Sequence, residues 1–397
     1  MKNRALRILP GAVVLLFAGV IYSWSVIKAP FGEGGFGYSN SQLGFNYTVT
    51  MCMFCLGGLF SGLMGKKVSS KIRMVISALL IFFGMLITSR LTVSTPSLLY
   101  VGYGLMMGLG VGIVYNIAVG STNAWFPDKK GLCSGVLMMT FGFSSLIIGK
   151  VANKMFNSPS IGWQKTYLIL GIVIGAVVLI MGFIIRMPRE EEKAAFAVKK
   201  NTAETEEFTA SQMLRRSSFW KMFIFFVLFS AVGGIALSFG KDVFVSVNID
   251  KERAVTIASF LAIFNGIGRI VSGALFDSIG RRKTQFVTSG VVIAAPALTA
   301  AGIALSNPVI TVIGVFLCAF SYGFSPTVSA ALCGEFYGMK NFALNFSVLN
   351  LVLIPSAFYA TVAGKIVDLT GSYIPVFAIL TLFSVIGLVD NIFIKKA

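Results

Sequence analysis

Asn265-Gly-Ile-Gly-Arg269-Ile-Val-Ser-Gly273-Ala-Leu-Phe-Asp277-Ser-Ile-Gly-Arg281-Arg282-Lys283 begins inside a long apolar run and leaves it through a basic turn. The segment from Asp277 to Lys283 has the composition of chain in water beside lipid headgroups. Arg269 lies eight residues before Asp277, roughly 12 Å deeper at about 1.5 Å per helical residue. A guanidinium at membrane depth costs at least ~2.5–3.5 kcal/mol on insertion scales, so it is expected to face a polar cavity or a partner rather than lipid. Arg269 is therefore the first candidate for function, and the run that carries it reads as a membrane helix.

The rest of the chain supports that reading. Of its 397 residues, 56% are hydrophobic and 12% charged, too apolar for an ordinary soluble domain. Windows of about 20 apolar residues recur along the whole length, the hydropathy pattern of transmembrane helices. Irregular backbone facing lipid is excluded, and a transmembrane barrel would show short alternating segments instead. A net charge of +18 raises the possibility of nucleic acid, but the basic residues fall between apolar runs and form no separable domain.

Twelve spans are expected, near 8–28, 44–65, 72–93, 97–120, 131–154 and 163–186, then 219–241, 254–276, 285–305, 308–332, 342–364 and 372–394. This divides the chain into an N-terminal six-helix bundle over 1–186, a cytoplasmic linker over 187–218 and a C-terminal six-helix bundle over 219–397. The linker is rich in Glu, Lys, Ser and Thr, and reads as water-exposed chain carrying one surface helix. With both termini inside, 23 of the 33 basic residues lie inside, 9 outside, and Arg269 in the membrane. That asymmetry follows the positive-inside rule. The outer-end cations Lys28, Arg90, Lys150 and Lys365 are expected to reach water. The Arg-containing N-terminus and its apolar run are expected to be a retained first helix, because Lys28-Ala-Pro-Phe offers no small-x-small cleavage site.

The halves repeat. At an offset of 211 residues, Gly62-Leu-Met-Gly-Lys-Lys falls on Gly273-Ala-Leu-Phe-Asp-Ser, and Trp125-Phe126 with Lys129 falls on Phe336-Tyr337 with Lys340. Two loops in one register indicate a parallel duplication, and such repeats place binding sites near the bilayer midplane where the halves meet.

With these features the chain resembles the major facilitator superfamily over its whole length. Gly273-x-x-x-Asp277-x-x-Gly280-Arg281-Arg282-Lys283 is similar to that superfamily's signature between spans 8 and 9. The resemblance implies an all-α membrane protein with two pseudo-symmetric six-helix bundles. It also implies a cytoplasmic gate built on Gly273, Asp277, Gly280, Arg281 and Arg282. In the first-half copy Lys66 stands where the acid belongs and Ser69 replaces a glycine. A narrower resemblance is to the oxalate/formate antiporter and monocarboxylate transporter group. It rests on Tyr22-Ser-Trp24-Ser-Val in span 1, Tyr115 in span 4 with Trp125-Phe-Pro127-Asp-Lys-Lys-Gly131, Asn265-x-x-x-Arg269 in span 8, and Tyr322-Gly in span 10. Oxalate exchangers of this group carry a lysine in span 11, whereas Asn345-Phe-Ser-Val-Leu-Asn350-Leu-Val-Leu-Ile-Pro355 has none. Proton-coupled animal relatives carry an acid where Asn265 stands.

Arg269 and Asn265 are one helical turn apart and share a face. The arginine fork suits a substrate carboxylate, with Asn265 orienting it. Tyr115, Tyr322, Tyr22, Trp24, Asn350 and Asn345 are further candidates to line the site, against the plainer reading of packed or interfacial side chains. Gly104, Gly108 and Gly112 share one face of span 4 and permit close helix contact. Pro355 is a candidate kink in span 11.

Histidine is absent from the sequence. Cys52, Cys55, Cys133, Cys318 and Cys333 sit in or beside apolar runs, so Cys52-x-x-Cys55 reads as helix packing rather than a redox or metal pair. No cofactor, metal or enzyme activity is expected. The reading is a monomeric secondary transporter of small organic anions in a bacterial-type inner membrane. Monocarboxylates are favoured, moved by proton symport or anion exchange. The alternatives are an oxalate/formate-type dicarboxylate exchanger and an efflux carrier of another small solute. A membrane receptor is less suited, because the linker is too short for an output domain. Cysteines placed at 190–215 and 281–283 are expected to label only from the cytoplasm, and cysteines at 245–252 only from outside. Labelling of 245–252 from inside would refute the span count in the second half.

Overall fold

The structure, a computed structural model, describes residues 6–33, 36–65, 67–126, 130–189, 191–192, 206–338 and 341–394. Among the described residues there is no strand, and twelve helices are long and apolar enough to cross a membrane. They are α1 (Ile8–Gly32), α2 (Asn40–Met64), α3 (Ser70–Ser89), α4 (Tyr100–Ala124), α5 (Val136–Phe156) and α6 (Gly162–Ile184). The second set is α7 (Ser217–Ser246), α8 (Lys251–Phe276), α9 (Ser278–Ala304), α10 (Pro308–Tyr337), α11 (Leu344–Thr370) and α12 (Ile374–Ile392). Each spans 19 to 30 residues, against about 20 for a hydrocarbon layer of about 30 Å. Helix is the form in which such runs satisfy their own backbone in lipid. The number and order of spans agree with the sequence expectation.

Contacts divide the chain into two compact units. One holds residues 1–38 and 45–200, the other residues 39–44 and 201–397. In the first unit the three glycines of α4 face α2. A Cβ on Gly104 would come to 2.8 Å from Val49, one on Gly108 to 2.7 Å from the Thr50 oxygen, and one on Gly112 would overlap the Phe54 oxygen. The stripe therefore brings two helix backbones together. At the start of α3, Ser69 accepts the Ile72 N–H at 3.3 Å, so the residue that replaces the signature glycine works as an N-cap.

In the second unit, irregular turns follow the prolines. Pro326 has no N–H to give the carbonyl four residues back, and α10 breaks between Tyr322 and Phe324. Pro355 stands likewise after a 3-10 turn at Asn350–Val352 in α11. The chain reverses between α8 and α9 at Gly280, whose φ of 76° and ψ of 172° fall where only glycine is at ease. The first turn of α2 also belongs here: the Asn40 and Ser41 N–H groups donate to the two oxygens of Asp368 at 3.0 and 2.8 Å.

The end of the linker docks on this unit. Thr209 and Gln212 form a capping box for the short helix Ala210–Leu214, and Met213 is fully buried. The linker helix is thus packed against protein rather than lying free on the surface. Phe208 donates its N–H to the Tyr337 carbonyl at 3.1 Å, and its ring meets Tyr337 edge-on at 5.9 Å. The side-chain amides of Asn341 and Asn345 both donate to the Phe208 carbonyl at 3.0 Å. Asn345, expected as a candidate for lining the site, instead ties the linker to the start of α11. Its substitution by alanine leaves Phe208 with one amide donor fewer, at about 1 kcal/mol. Asn345→Ala is expected to speed limited proteolysis around Arg215 and Arg216 with little change in global melting. Unchanged cleavage would show that Asn345 does not hold the linker.

Candidate functional site

Arg269 lies in α8 seven residues from Phe276, about 10 Å inside the helix end. Its side chain is part-buried, and its carbonyl accepts the Ser272 hydroxyl at 3.1 Å. Asn265, one turn away, is 1% exposed, and its Oδ1 has no hydrogen-bond partner among the described residues. A buried amide oxygen without a donor costs about 1–3 kcal/mol, so this acceptor is a candidate to meet a ligand. Tyr322 is buried as well and stands at the break of α10. The next residue, Gly323, lies against the backbone of Asn265 and Arg269. The fold therefore brings Arg269, Asn265 and the Tyr322 turn together within the second unit.

The first-unit candidates form a separate group. Tyr22 meets Phe141 edge-on at 5.0 Å, and Tyr115 meets the same ring at 5.5 Å and Phe54 at 5.1 Å. The Tyr115 hydroxyl donates to Met138 Sδ at 3.1 Å. Trp24 differs. It is fully buried, its ring 4.7 Å from Tyr103, which gives it a packing role beside the group. Sequence reasoning missed Ser23, Asn46, Tyr47 and Ser144, whose buried side-chain N or O atoms have no hydrogen-bond partner among the described residues. Each lies among other small polar residues, Asn46 and Tyr47 beside Thr48 and Ser144 beside Ser145, and only Ser23 falls within the Tyr22–Val26 motif.

Asn350 sits part-exposed in the 3-10 turn ahead of Pro355. One lysine corrects an expectation. Lys28, expected to reach water, is 3% exposed, and Lys241 in α7 is buried to the same degree. Both lie within five residues of a helix end, so Arg269 is the deeper cation, but it is not the only sheltered one. Arg90, Lys150 and Lys365 are exposed as expected.

At the signature loop, Arg281 reaches Glu335 at 3.5 Å and lies over the Phe336 ring at 5.0 Å. Arg282 is exposed, 6.0 Å from the Phe286 ring. Gly273 would tolerate a Cβ at 3.5 Å from Thr327. The side chain of Asp277 and all of Lys66 lie outside the described residues. In the first-half copy, Arg73 donates to main-chain oxygens, Ser61 at 2.6 Å and Val68 at 3.2 Å. Carbonyls thus hold this arginine.

Trp125 organises the same side of the first unit. Its indole N–H donates to the Arg186 carbonyl at 2.9 Å, and the Arg7 and Arg186 guanidiniums lie 4.9 and 4.7 Å from its ring. Arg186 also donates to both Glu192 oxygens at 2.7 Å. Those hydrogen bonds, with the Arg189 N–H, draw the Glu192 carboxyl down to about 2.

A family model described as Major Facilitator Superfamily matches residues 11–353. The chain is 26% identical over 341 residues to the oxalate:formate antiporter of Oxalobacter formigenes, covering 83% of this chain and 77% of that protein. It is 23% identical over 366 residues to monocarboxylate transporter 12 of Homo sapiens, covering 85% of this chain and 70% of that protein. Among solved structures, a D-xylose-proton symporter superposes with a TM-score of 0.72 at 14% identity, over 98% of this chain and 97% of that one. The last likeness speaks to fold alone.

Two substitutions separate packing from binding. Trp24→Ala removes a fully buried ring and is expected to cost about 3–5 kcal/mol, seen as a lower melting temperature of the purified protein. Tyr115→Phe removes the weak hydrogen bond to Met138 Sδ and is expected to leave melting almost unchanged while weakening anion binding. An unchanged melting temperature for Trp24→Ala would show that the ring is not part of the core.

Proposed function

The chain belongs to the Major Facilitator Superfamily, and on that premise we propose that it moves small organic anions across the membrane by alternating access, with monocarboxylates as the substrate class. The observation that carries this reading is Arg269, two helical turns inside a membrane span and one turn from the buried, unsatisfied Oδ1 of Asn265. A planar guanidinium presents two parallel N–H groups that match a carboxylate. Asn265 supplies an acceptor for a donor elsewhere on the substrate. Tyr322 and Asn350 complete the proposed lining within the second unit, and Tyr22 and Tyr115, with Trp24 packed beside them, are the candidates of the first unit. The similarity to an oxalate:formate antiporter and a monocarboxylate transporter is consistent with anions of this size.

Orientation follows from the basic residues: both termini and the Arg281–Lys283 turn face the cytoplasm of a bacterial-type inner membrane. On that side Gly273, Asp277, Gly280, Arg281 and Arg282 act as a gate, with the Arg281–Glu335 pair holding the start of α9 to the end of α10. Coupling is by proton symport or by anion exchange.

A dicarboxylate exchanger is the second reading, and the buried Lys28 and Lys241 favour it. A dianion in a low-dielectric site costs several kcal/mol per uncompensated charge. Arg269 matches one carboxylate at its depth, while the lysines lie nearer helix ends. Monocarboxylates are therefore expected to bind at least about tenfold better than oxalate, a difference of ~1.4 kcal/mol.

Uptake of labelled lactate, pyruvate, formate and oxalate into proteoliposomes, with and without a pH gradient, tests the substrate class. Tighter or equal oxalate binding would move the assignment to the second reading. Arg269→Lys is expected to insert normally yet fail to transport, because a point charge does not reproduce a two-pronged contact. Near-native lactate uptake by that variant would remove Arg269 from the site.

A further inference from the structure

Helices α8 and α10 meet backbone to backbone at the level of Arg269. A Cβ on Gly323 would overlap the Asn265 carbonyl oxygen and stand 2.6 Å from the Arg269 nitrogen and 2.9 Å from the Gly268 carbonyl carbon. Seen from the other helix, a Cβ on Gly268 would overlap the Phe320 carbonyl oxygen and stand 2.9 Å from its carbon. A third glycine, Gly233 in α7, lies under Tyr322, where a Cβ would overlap Tyr322 Cβ and reach 2.7 Å from a ring carbon. Real Cβ atoms essentially never approach heavy atoms closer than 3.0 Å. None of the three glycines has a positive φ, so close approach, and not backbone conformation, is what excludes a side chain here.

The crossing has a cause in the sequence. Pro326 withholds a hydrogen bond from the Tyr322 carbonyl, and Gly323 instead donates its N–H to Phe320, three residues back, at 3.1 Å. The tightened turn is where α10 comes onto α8. The intimacy is local: a Cβ on Gly273, further along α8, would make an ordinary contact at 3.5 Å, and Gly234 beside Gly233 faces open space. The unsatisfied Oδ1 of Asn265 belongs to the same crossing, an independent sign that the place serves a ligand.

We infer that Gly323 and Gly268, with Gly233 behind Tyr322, are positioning residues that fix Arg269 and Asn265 relative to Tyr322 and so set the fit of a small carboxylate without touching it. The inference rests on Arg269 being the carboxylate-binding group. A methyl at Gly323 forces the two helices apart by about 1 Å, and a misplacement of that size can cost ~100-fold in a site built on orientation. The guanidinium fork is sensitive to such a shift, whereas a flexible ammonium is much less so.

A double-mutant cycle tests this. Equilibrium binding of labelled lactate is measured for the native chain, Gly323→Ala, Arg269→Lys and the double variant, with Gly234→Ala as control and melting temperatures in parallel. Gly323→Ala is expected to weaken lactate binding about tenfold or more, and Gly234→Ala to leave it unchanged. In the Arg269→Lys background the added Gly323→Ala is expected to cost less than about threefold. Native affinity in Gly323→Ala, or an equal loss in both backgrounds, would overturn the positioning role. Native affinity in Arg269→Lys alone would instead overturn the reading of Arg269, whatever Gly323 does. If Gly323→Ala does not insert, Gly268→Ala takes its place with the same expectations. Failure of both to insert would assign the crossing to folding and also overturn the inference.

Discussion

Hydrocarbon offers a polar group no water, and most of this chain's features answer to that. Backbone amides have to find partners within their own segment, which is why apolar runs of this length become helices. Side-chain charge is tolerated at depth only where the protein provides a polar setting. Arg269 is the clearest exception to apolarity inside a span, and the buried amide of Asn265 lies beside it. A shielded setting spares α8 the cost of placing this guanidinium against lipid. With one, the membrane holds a cation well placed for a carboxylate.

Some of the candidate residues stand where regular helix gives way. Pro326 frees a carbonyl at Tyr322 and bends α10 onto α8, and Pro355 stands just after the 3-10 turn that carries Asn350. In α1 a 3-10 turn over Gly19–Ser23 contains Tyr22 and the unsatisfied Ser23 hydroxyl. Departures from regular helix are tolerated at membrane depth where neighbouring protein covers them. Tyr22, Tyr322 and Asn350 thus sit at such turns, whereas Arg269, Asn265 and Tyr115 lie in regular helix.

The architecture was legible because hydropathy, charge placement and the 211-residue repeat all report on the same solvent boundary. Arg269 and Asn265 were legible because a charge at depth is rare and a four-residue spacing fixes a shared face. Trp24 shows where this kind of reading stops: a motif residue looks the same whether its ring faces a ligand or packs on Tyr103. The tie of Asn345 to the linker was not legible because it depends on Phe208, a contact 137 residues apart in sequence. Lys28 was expected in water because a position near a span end does not say how far tertiary packing shelters it. The unsatisfied polar atoms of Asn46, Tyr47 and Ser144 carry no local pattern, and only packing reveals them.

Arginine-selective modification, quantified at Arg269 by mass spectrometry of the purified protein, tests most directly whether this guanidinium holds a carboxylate. Lactate is predicted to slow modification at Arg269 in a saturable way while leaving the exposed Arg282 unaffected, and the uncharged amide of lactate is predicted to give no protection. Unchanged modification of Arg269 in saturating lactate, or equal protection by the amide, would contradict the account.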